Sequence, residues 1–281
     1  MLLLLSLAAS AAKAAKASPP PPPLLELVRD AALFKAPYGW IFYAALVGFC
    51  VANGLTISKG YPNVRYVHGL ALGVLMSFGG SMMTALMCAK PAVFAVNEAL
   101  LPTWVSVWSV LWFLPSVINS FLAIPFLGAT ILSLSYETFR AHVMINCAKM
   151  ATSALTAASS GVYPVPIAGP LIAGVLGGCG GGFMPPSKGL APLEQGANWR
   201  VASAAIGSLW LQLLLNDPYA RAHAAAVLPP LADPEWVKFS VIAFFTLAPL
   251  LQWYMPDMMP WARSNPLVTV PPRVSAGKKN K

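Results

Sequence analysis

The amino-acid sequence predicts an all-α membrane protein with seven transmembrane helices. Of its 281 residues, 57% are hydrophobic and only 10% are charged, and the mean hydropathy is +0.66. Soluble domains carry about a quarter charged residues, so this chain has too few charges to cover a surface in contact with water. The apolar residues are also collected in long windows, and roughly 20 such residues form a helix that crosses a bilayer.

The first residues, 1–23, are low in sequence complexity. The apolar stretch Leu2–Ala12 is too short to cross a bilayer, and it resembles the apolar part of a signal peptide without the positive residues that normally precede it. Two interpretations of this segment stay open, a targeting segment that is cleaved and a disordered tail. Because Pro19–Pro23 is a stiff spacer, we expect the folded domain to occupy residues 24–260, followed by a basic tail at 261–281.

Seven apolar windows follow the proline run. Tryptophan and tyrosine residues stand at several of their ends, as expected for side chains at the membrane–water interface. The third and fourth windows nearly run together, and we expect the chain to turn between them around Asn119 and Ser120. We predict membrane spans at Tyr38–Ile57, Val67–Cys88, Thr103–Phe121, Leu122–Cys147, Val162–Met184, Val201–Leu215 and Trp236–Met255.

The net charge of +9 does not indicate a nucleic-acid partner. The basic residues are spread along loops and tails, and in a membrane protein this distribution reflects orientation and attraction to anionic headgroups. The basic tail favours a cytosolic C-terminus. An odd number of spans then places the N-terminus on the opposite side.

The chain also repeats itself at one offset of 98 residues. Trp104 and Trp199 pair at nearly the same offset. Each half then contains three spans, and the seventh span is left over. Because each unit has an odd number of spans, consecutive units are inverted about an axis in the membrane plane, as in many transporters and channels. The pairs at this offset are Gly80–Gly178, Lys90–Lys188 and Trp112–Trp210.

Glycines in the second span of each half are the most informative feature. The segment Gly177–Gly182 contains five glycines in six residues, and each costs about 1 kcal/mol in a helix relative to alanine. Either the glycines let two helices approach closely, or they break the helices so that backbone carbonyls face a watery path. Their recurrence in both halves favours the second interpretation. The predicted pore residues are Ser77, Gly79, Gly80, Ser81, Gly177, Gly178, Gly180, Gly181 and Gly182.

The fourth span carries ionisable residues at membrane depth, where they are costly and typical of functional sites. Glu137 and Arg140 are three residues apart, so they share a helix face and can pair. One interpretation is a structural ion pair in which Arg140 reaches outward to the headgroups. The other is that Arg140 faces the conduit or binds an anionic lipid headgroup. His142 is a candidate pH-sensitive partner of Glu137.

Motifs of enzymes and metal sites are absent from the sequence. It contains no HExxH, GxSxG or Walker motif, and its four cysteines never form a CxxC pair. We therefore expect neither an enzyme nor a metal protein.

Several short segments occur in a distinctive order, and they are Leu75–Ser81, Leu111–Pro115, Tyr136–Arg140, Gly177–Gly182 and Leu193–Gly196. Over residues 38–260 their order and spacing resemble the trimeric intracellular cation (TRIC) channels. The likeness is to the family's kinked second helix, the proline-bearing end of its third helix and the Lys-Glu-x-x-Arg motif of its fourth. The glycine kink of the fifth helix and the loop that follows it, with Trp199, also have counterparts here.

This resemblance implies a homotrimer with a separate hourglass pore in each subunit. Such a channel conducts potassium ions across intracellular membranes, chiefly the endoplasmic reticulum, as counter-ion flow for calcium release. It implies no cofactor other than a phosphatidylinositol bisphosphate lipid, held by the lysine and arginine of the fourth helix. Arg140 matches that arginine, whereas Tyr136 stands at the lysine position, and we expect Lys149 to compensate in part. Gly177 replaces the basic residue that precedes the fifth-helix glycines in animal members.

Two other functions stay open at this point. A facilitative transporter of a small polar solute is the first, since sugar carriers also have a three-one-three arrangement of spans. A lipid-binding scaffold that conducts nothing is the second. Potassium currents across a bilayer would separate the channel from both.

Overall fold

The structure is a computed structural model, and it describes residues 23–122, 124, 127–155, 166–183 and 199–254. Every regular element in these ranges is helical, which confirms the predicted all-α fold. The leader and the basic tail expected from the sequence lie outside the described residues, except for Pro23. The main helices are α1 Leu24–Ala32, α2 Trp40–Gly60, α3 Tyr66–Met87, α4 Leu100–Phe113, α5 Pro115–Leu122, α6 Leu127–Leu155, α7 Ala168–Cys179, α8 Trp199–Asn216, α9 Pro218–Val227 and α10 Pro234–Tyr254.

Each predicted window overlaps at least one of these helices. By length and composition, α2, α3 and α10 can each cross a membrane, and α4 with α5 makes a fourth if the bent pair counts as one span. Helix α7 with the turn that follows it is apolar but shorter. Helix α6 carries three charged residues, Glu137, Arg140 and Lys149. The count of seven spans therefore stays a prediction.

The third window is divided into two helices. Helix α4 ends at Phe113, α5 begins at Pro115, and the two axes are bent by 91°. Proline causes this because it lacks a backbone N–H and its ring clashes with the preceding turn of a helix. The span predicted over Thr103–Phe121 is thus a bent pair of helices, and its crossing of the membrane as one span stays a prediction. Asn119 and Ser120, expected at the turn between two spans, lie inside α5.

The helices pack as two groups of three, which agrees with the repeat seen in the sequence. Helices α2, α3 and α4 contact one another, as do α6, α7 and α8. The groups meet where α2 packs on α6 and where α3 packs on α7, and α10 packs on α6 and α8. One apolar core surrounds Trp104 and Trp108, and a second surrounds Met144, Leu211 and Phe245. The inversion axis between the groups stays a prediction.

Tryptophans of α4 fill the space beside glycines of α3. A Cβ atom at Gly73 would lie 1.5 Å from Cζ2 of Trp104, and one at Gly69 would lie 2.1 Å from Cζ2 of Trp108. Each indole N–H donates to a backbone carbonyl of α3 at 2.9 Å. Because both indoles are buried and bonded, this contact joins the third helix of the first half rigidly to the second.

Candidate functional site

Helices α3 and α7 cross with their backbones in contact, at what we call the glycine crossing. A Cβ atom at Gly80 would lie 2.1 Å from the carbonyl oxygen of Leu176. One at Gly180 would lie 2.5 Å from the Cα of Gly80, and one at Gly181 would lie 1.8 Å from the carbonyl oxygen of Met76. No larger residue fits at these positions, so the glycines permit the close approach of the two helices.

The glycines do not break α3. Its α-helix runs from Tyr66 to Met87 through Gly79 and Gly80, so the break expected in the second span is wrong. In the second half, α7 ends at Cys179 and continues as a 3-10 turn over Gly180–Phe183. The physical reason is that each helix backbone fills the space beside the other's glycines, so packing offsets the weak helix propensity of glycine.

A small cavity of about 20 Å³, room for about one water molecule, lies beside the glycine crossing. Five glycines contribute to its lining, and Ser77 contributes a hydroxyl that accepts a hydrogen bond from Nδ2 of Asn53 at 3.1 Å. The predicted pore residues that line the cavity are Ser77, Gly80, Gly177, Gly178, Gly181 and Gly182.

Three predicted pore residues lie away from this lining. Gly180 packs against Gly80, and Gly79 is buried within α3. Ser81 lines a separate cavity, and its hydroxyl donates to the carbonyl oxygen of Phe78 at 2.8 Å. The structure therefore groups six of the nine predicted residues and separates the other three from them.

A buried ion pair lies at the cavity. In Arg140, Nε is 2.8 Å and Nη2 is 2.6 Å from Oε2 of Glu137, and the two side chains are only 3% and 1% exposed. Arg140 also donates to the carbonyl oxygens of Gly178 and Arg200, at 3.2 and 3.0 Å, and to the hydroxyl of Ser203 at 2.6 Å. The predicted ion pair is confirmed. The interpretation that Arg140 reaches outward to the headgroups is wrong, because all these bonds point inward.

Two aromatic side chains complete the surroundings of this pair. The indole N–H of Trp199 donates to Oε1 of Glu137 at 3.1 Å, and the guanidinium of Arg140 lies 4.6 Å from the ring centroid of Phe245. The pair is thus held by side chains from α6, α8 and α10. Hydrogen bonding of this completeness is what allows a charge pair to persist when it is buried.

The three predicted lipid-binding residues occupy different surroundings. Tyr136 is 4% exposed, lines the cavity and stacks on Phe49 with ring centroids 5.2 Å apart. Arg140 is buried in the ion pair, whereas Lys149 is exposed further along α6 and does not line the cavity. The structure therefore brings Tyr136 and Arg140 together and leaves Lys149 apart.

His142 does not contact Glu137. Its Nε2 lies 2.7 Å from the carbonyl oxygen of Ala32, and its ring stacks on Phe34 with centroids 4.0 Å apart. The expected pairing of His142 with Glu137 is wrong because residues five apart point to different sides of a helix. His142 instead joins α6 to the last residue of α1 and to Phe34, which follows that helix.

Arg200 is the site residue that the sequence analysis missed. Its side chain lines the cavity, with the guanidinium carbon 5.3 Å from the ring centroid of Tyr136. Its Nε and Nη2 are buried and have no hydrogen-bond partner in the part of the chain that the structure describes. A single basic residue at the edge of an apolar window is typical of the membrane interface, so its position did not indicate a cavity.

No protein-family model matches the chain, and no curated protein matches it in sequence. Solved structures of TRIC channels do match its fold. A structure that explains conductance through TRIC cation channels is 14% identical with a TM-score of 0.56, covering 78% of this chain and 94% of its own. A TRIC channel from C. elegans without Ca²⁺ is 20% identical with a TM-score of 0.55, covering 83% and 98%. A TRIC counter-ion channel in calcium release is 16% identical with a TM-score of 0.53, covering 75% and 91%.

These matches, together with the apolar helices, define an integral membrane protein with an all-α channel fold. More particularly, the chain has a TRIC-like fold. At identities of 14–20% the likeness concerns the fold, and the neighbours are channels rather than enzymes.

Proposed function

We propose that this protein is a cation channel whose path passes the cavity at the glycine crossing. The observation that supports it most is that cavity, which lies between the two halves of a TRIC-like fold. The Ser77 hydroxyl and the backbone of the glycines in its lining offer oxygen atoms, which can replace part of the hydration shell of a monovalent cation.

Within this proposal the permeating ion is potassium, and three copies of the chain assemble with one pore in each subunit. The channel lies in the endoplasmic reticulum or another endomembrane and supplies counter-ion flow during calcium release. Similarity in fold to TRIC counter-ion channels in calcium release supports this part of the proposal.

An anionic lipid such as phosphatidylinositol bisphosphate is the proposed regulator, with Arg140, Tyr136 and Lys149 as its contacts. Because the side chains of Arg140 and Tyr136 are buried, the accessible contact for a lipid headgroup among these three residues is Lys149. Arg140 donates its hydrogen bonds to protein groups, whereas Lys149 is exposed on α6. A headgroup that approaches from the membrane surface therefore meets Lys149 first.

Recording from purified protein in planar bilayers tests the channel. In a potassium chloride gradient we expect single-channel currents that reverse close to the potassium equilibrium potential. Saturable uptake of a sugar into vesicles, with no current from the same preparation, would instead identify a transporter. Folded protein that binds lipid but carries neither current nor solute would identify a scaffold.

A further inference from the structure

We propose that the guanidinium of Arg200 is an electrostatic barrier that limits the entry of cations into the cavity at the glycine crossing. This inference rests on the proposed function, because it concerns the same path. It assigns to Arg200 the role of setting how readily a cation passes.

The charges around the cavity do not cancel. Arg140 is neutralised by Glu137, whose carboxylate lies 2.6 Å from Nη2 and accepts a second bond from Nε. Arg200 forms no ion pair with any residue that the structure describes. Among the residues that the structure describes, two guanidiniums and one carboxylate therefore leave one net positive charge at the place where a cation would pass.

Packing, rather than hydrogen bonding, holds this charge in position. The guanidinium carbon of Arg200 lies 5.3 Å from the ring centroid of Tyr136, a cation–π contact. Its buried Nε and Nη2 lie on one edge of the guanidinium, and within the described residues neither atom has a hydrogen-bond partner. The backbone of the same residue is well anchored, because its carbonyl oxygen accepts a bond from Arg140 at 3.0 Å.

Burial makes the repulsion effective. Water and salt screen like charges well at a surface and poorly inside a protein, so a cation in this cavity experiences the field of Arg200 almost unreduced by ions in solution. The Tyr136 ring offers only a weak compensating attraction, and it is already engaged with the guanidinium. Removing the charge with a neutral side chain of similar length should therefore lower the barrier to cation entry without enlarging the cavity.

The test is single-channel recording of Arg200→Gln in planar bilayers with potassium chloride. We expect potassium conductance to rise at least about tenfold above the wild type, because repulsion between charges a few ångströms apart is several times thermal energy. The reversal potential in a salt gradient should stay close to the potassium equilibrium potential. Arg200→Met provides a second neutral side chain of similar length. Both variants should elute and melt like the wild type, since Nε and Nη2 of the guanidinium have no hydrogen-bond partner among the described residues.

Two control variants separate charge from other effects. Arg200→Lys retains the charge and should conduct like the wild type. Arg65→Gln removes one positive charge from an exposed residue before α3, outside the cavity, and should also leave the conductance unchanged.

Each outcome decides the proposal. Equal, measurable conductance in the wild type and Arg200→Gln would overturn the barrier and leave the cation channel standing. An equal rise in Arg200→Lys would also overturn it, because the side chain's shape and not its charge would then be limiting. If folded wild-type protein and both neutral variants carry no current, the barrier and the proposed function fail together.

Discussion

Two buried tryptophans, each near the start of the third helix of its half, have different hydrogen-bond partners. Trp104 packs against Gly73 and donates to the backbone carbonyl of Leu70 at 2.9 Å. Trp199 donates to the carboxylate of Glu137 at 3.1 Å. Both indoles are fully buried, so the difference lies in what they bind and not in where they lie.

The difference shows how one repeated architecture can be divided between support and function. In the first half, tryptophan joins two helices through an apolar contact and a neutral hydrogen bond. In the second half, it holds one member of a buried ion pair. The charged groups at the cavity, which are Glu137, Arg140 and Arg200, all belong to α6 and α8. The first half thus contributes uncharged, closely packed residues to the cavity, and the second half contributes its charged groups.

The largest expected effect on stability comes from removing the negative charge of Glu137, the carboxylate to which Trp199 donates. Glu137→Gln should lower the free energy of unfolding by about 3–5 kcal/mol, because Arg140 would then be buried without a counter-charge. Chemical unfolding in detergent, followed by tryptophan fluorescence, measures this loss. The double variant Glu137→Gln with Arg140→Met removes both charges and should recover part of the stability. A single variant as stable as the wild type would show that the second half does not depend on the pair.

A smaller effect is expected where the two halves meet. Gly80→Leu places a side chain where a Cβ would lie 2.1 Å from the carbonyl oxygen of Leu176. Overpacking of this kind costs about 1–3 kcal/mol, and the displaced α7 should strongly reduce conductance through the proposed channel while the protein still folds. Gly60→Leu is the matched control, because a Cβ at Gly60 has nothing within 4 Å. Single-channel currents of wild-type size in Gly80→Leu would show that the crossing does not shape the path.

Replacing each tryptophan by phenylalanine tests the comparison directly. Trp199→Phe should cost about 1.5–3 kcal/mol in unfolding free energy, since it removes a hydrogen bond to a charged group. Trp104→Phe should cost less, about 0.5–1.5 kcal/mol for the lost neutral hydrogen bond, apart from any cavity that it leaves. The two variants are measured by the same unfolding assay. If Trp104→Phe loses as much unfolding free energy as Trp199→Phe or more, the proposed difference between the uncharged first half and the charged second half is wrong.

The smallest effect concerns the exposed end of the charged half. Lys149→Gln should weaken the response to phosphatidylinositol bisphosphate by about 1 kcal/mol, which is the attraction of one basic residue near an anionic surface. Channel activity titrated with this lipid in neutral bilayers measures the shift. Lys59→Gln, an exposed lysine at the end of α2, serves as the control and should leave the titration unchanged. If Lys59→Gln weakens the response to the lipid more than Lys149→Gln does, the lipid binds to the first half instead.

Much of the candidate site could be predicted from local spacing. Glu137 and Arg140 are one helical turn apart, so their pairing follows from sequence alone. The bend at Pro115 was also foreseeable from the chemistry of proline, although the 91° angle was not. Arg200 could not be assigned, because a basic residue at the end of an apolar window has the same local pattern whether it faces headgroups or a cavity.

The sequence by itself determined the fold class, the approximate positions of most helices and the pairing of Glu137 with Arg140. These follow from composition, hydropathy windows and the spacing of residues along a helix, which are local properties. Only the tertiary structure decided that α3 passes its glycines unbroken and that Arg200 faces the cavity. Both outcomes depend on what the neighbouring helix places in the available space. The glycines on α3 are therefore sites of contact with α7, and the charge beside them comes from α8.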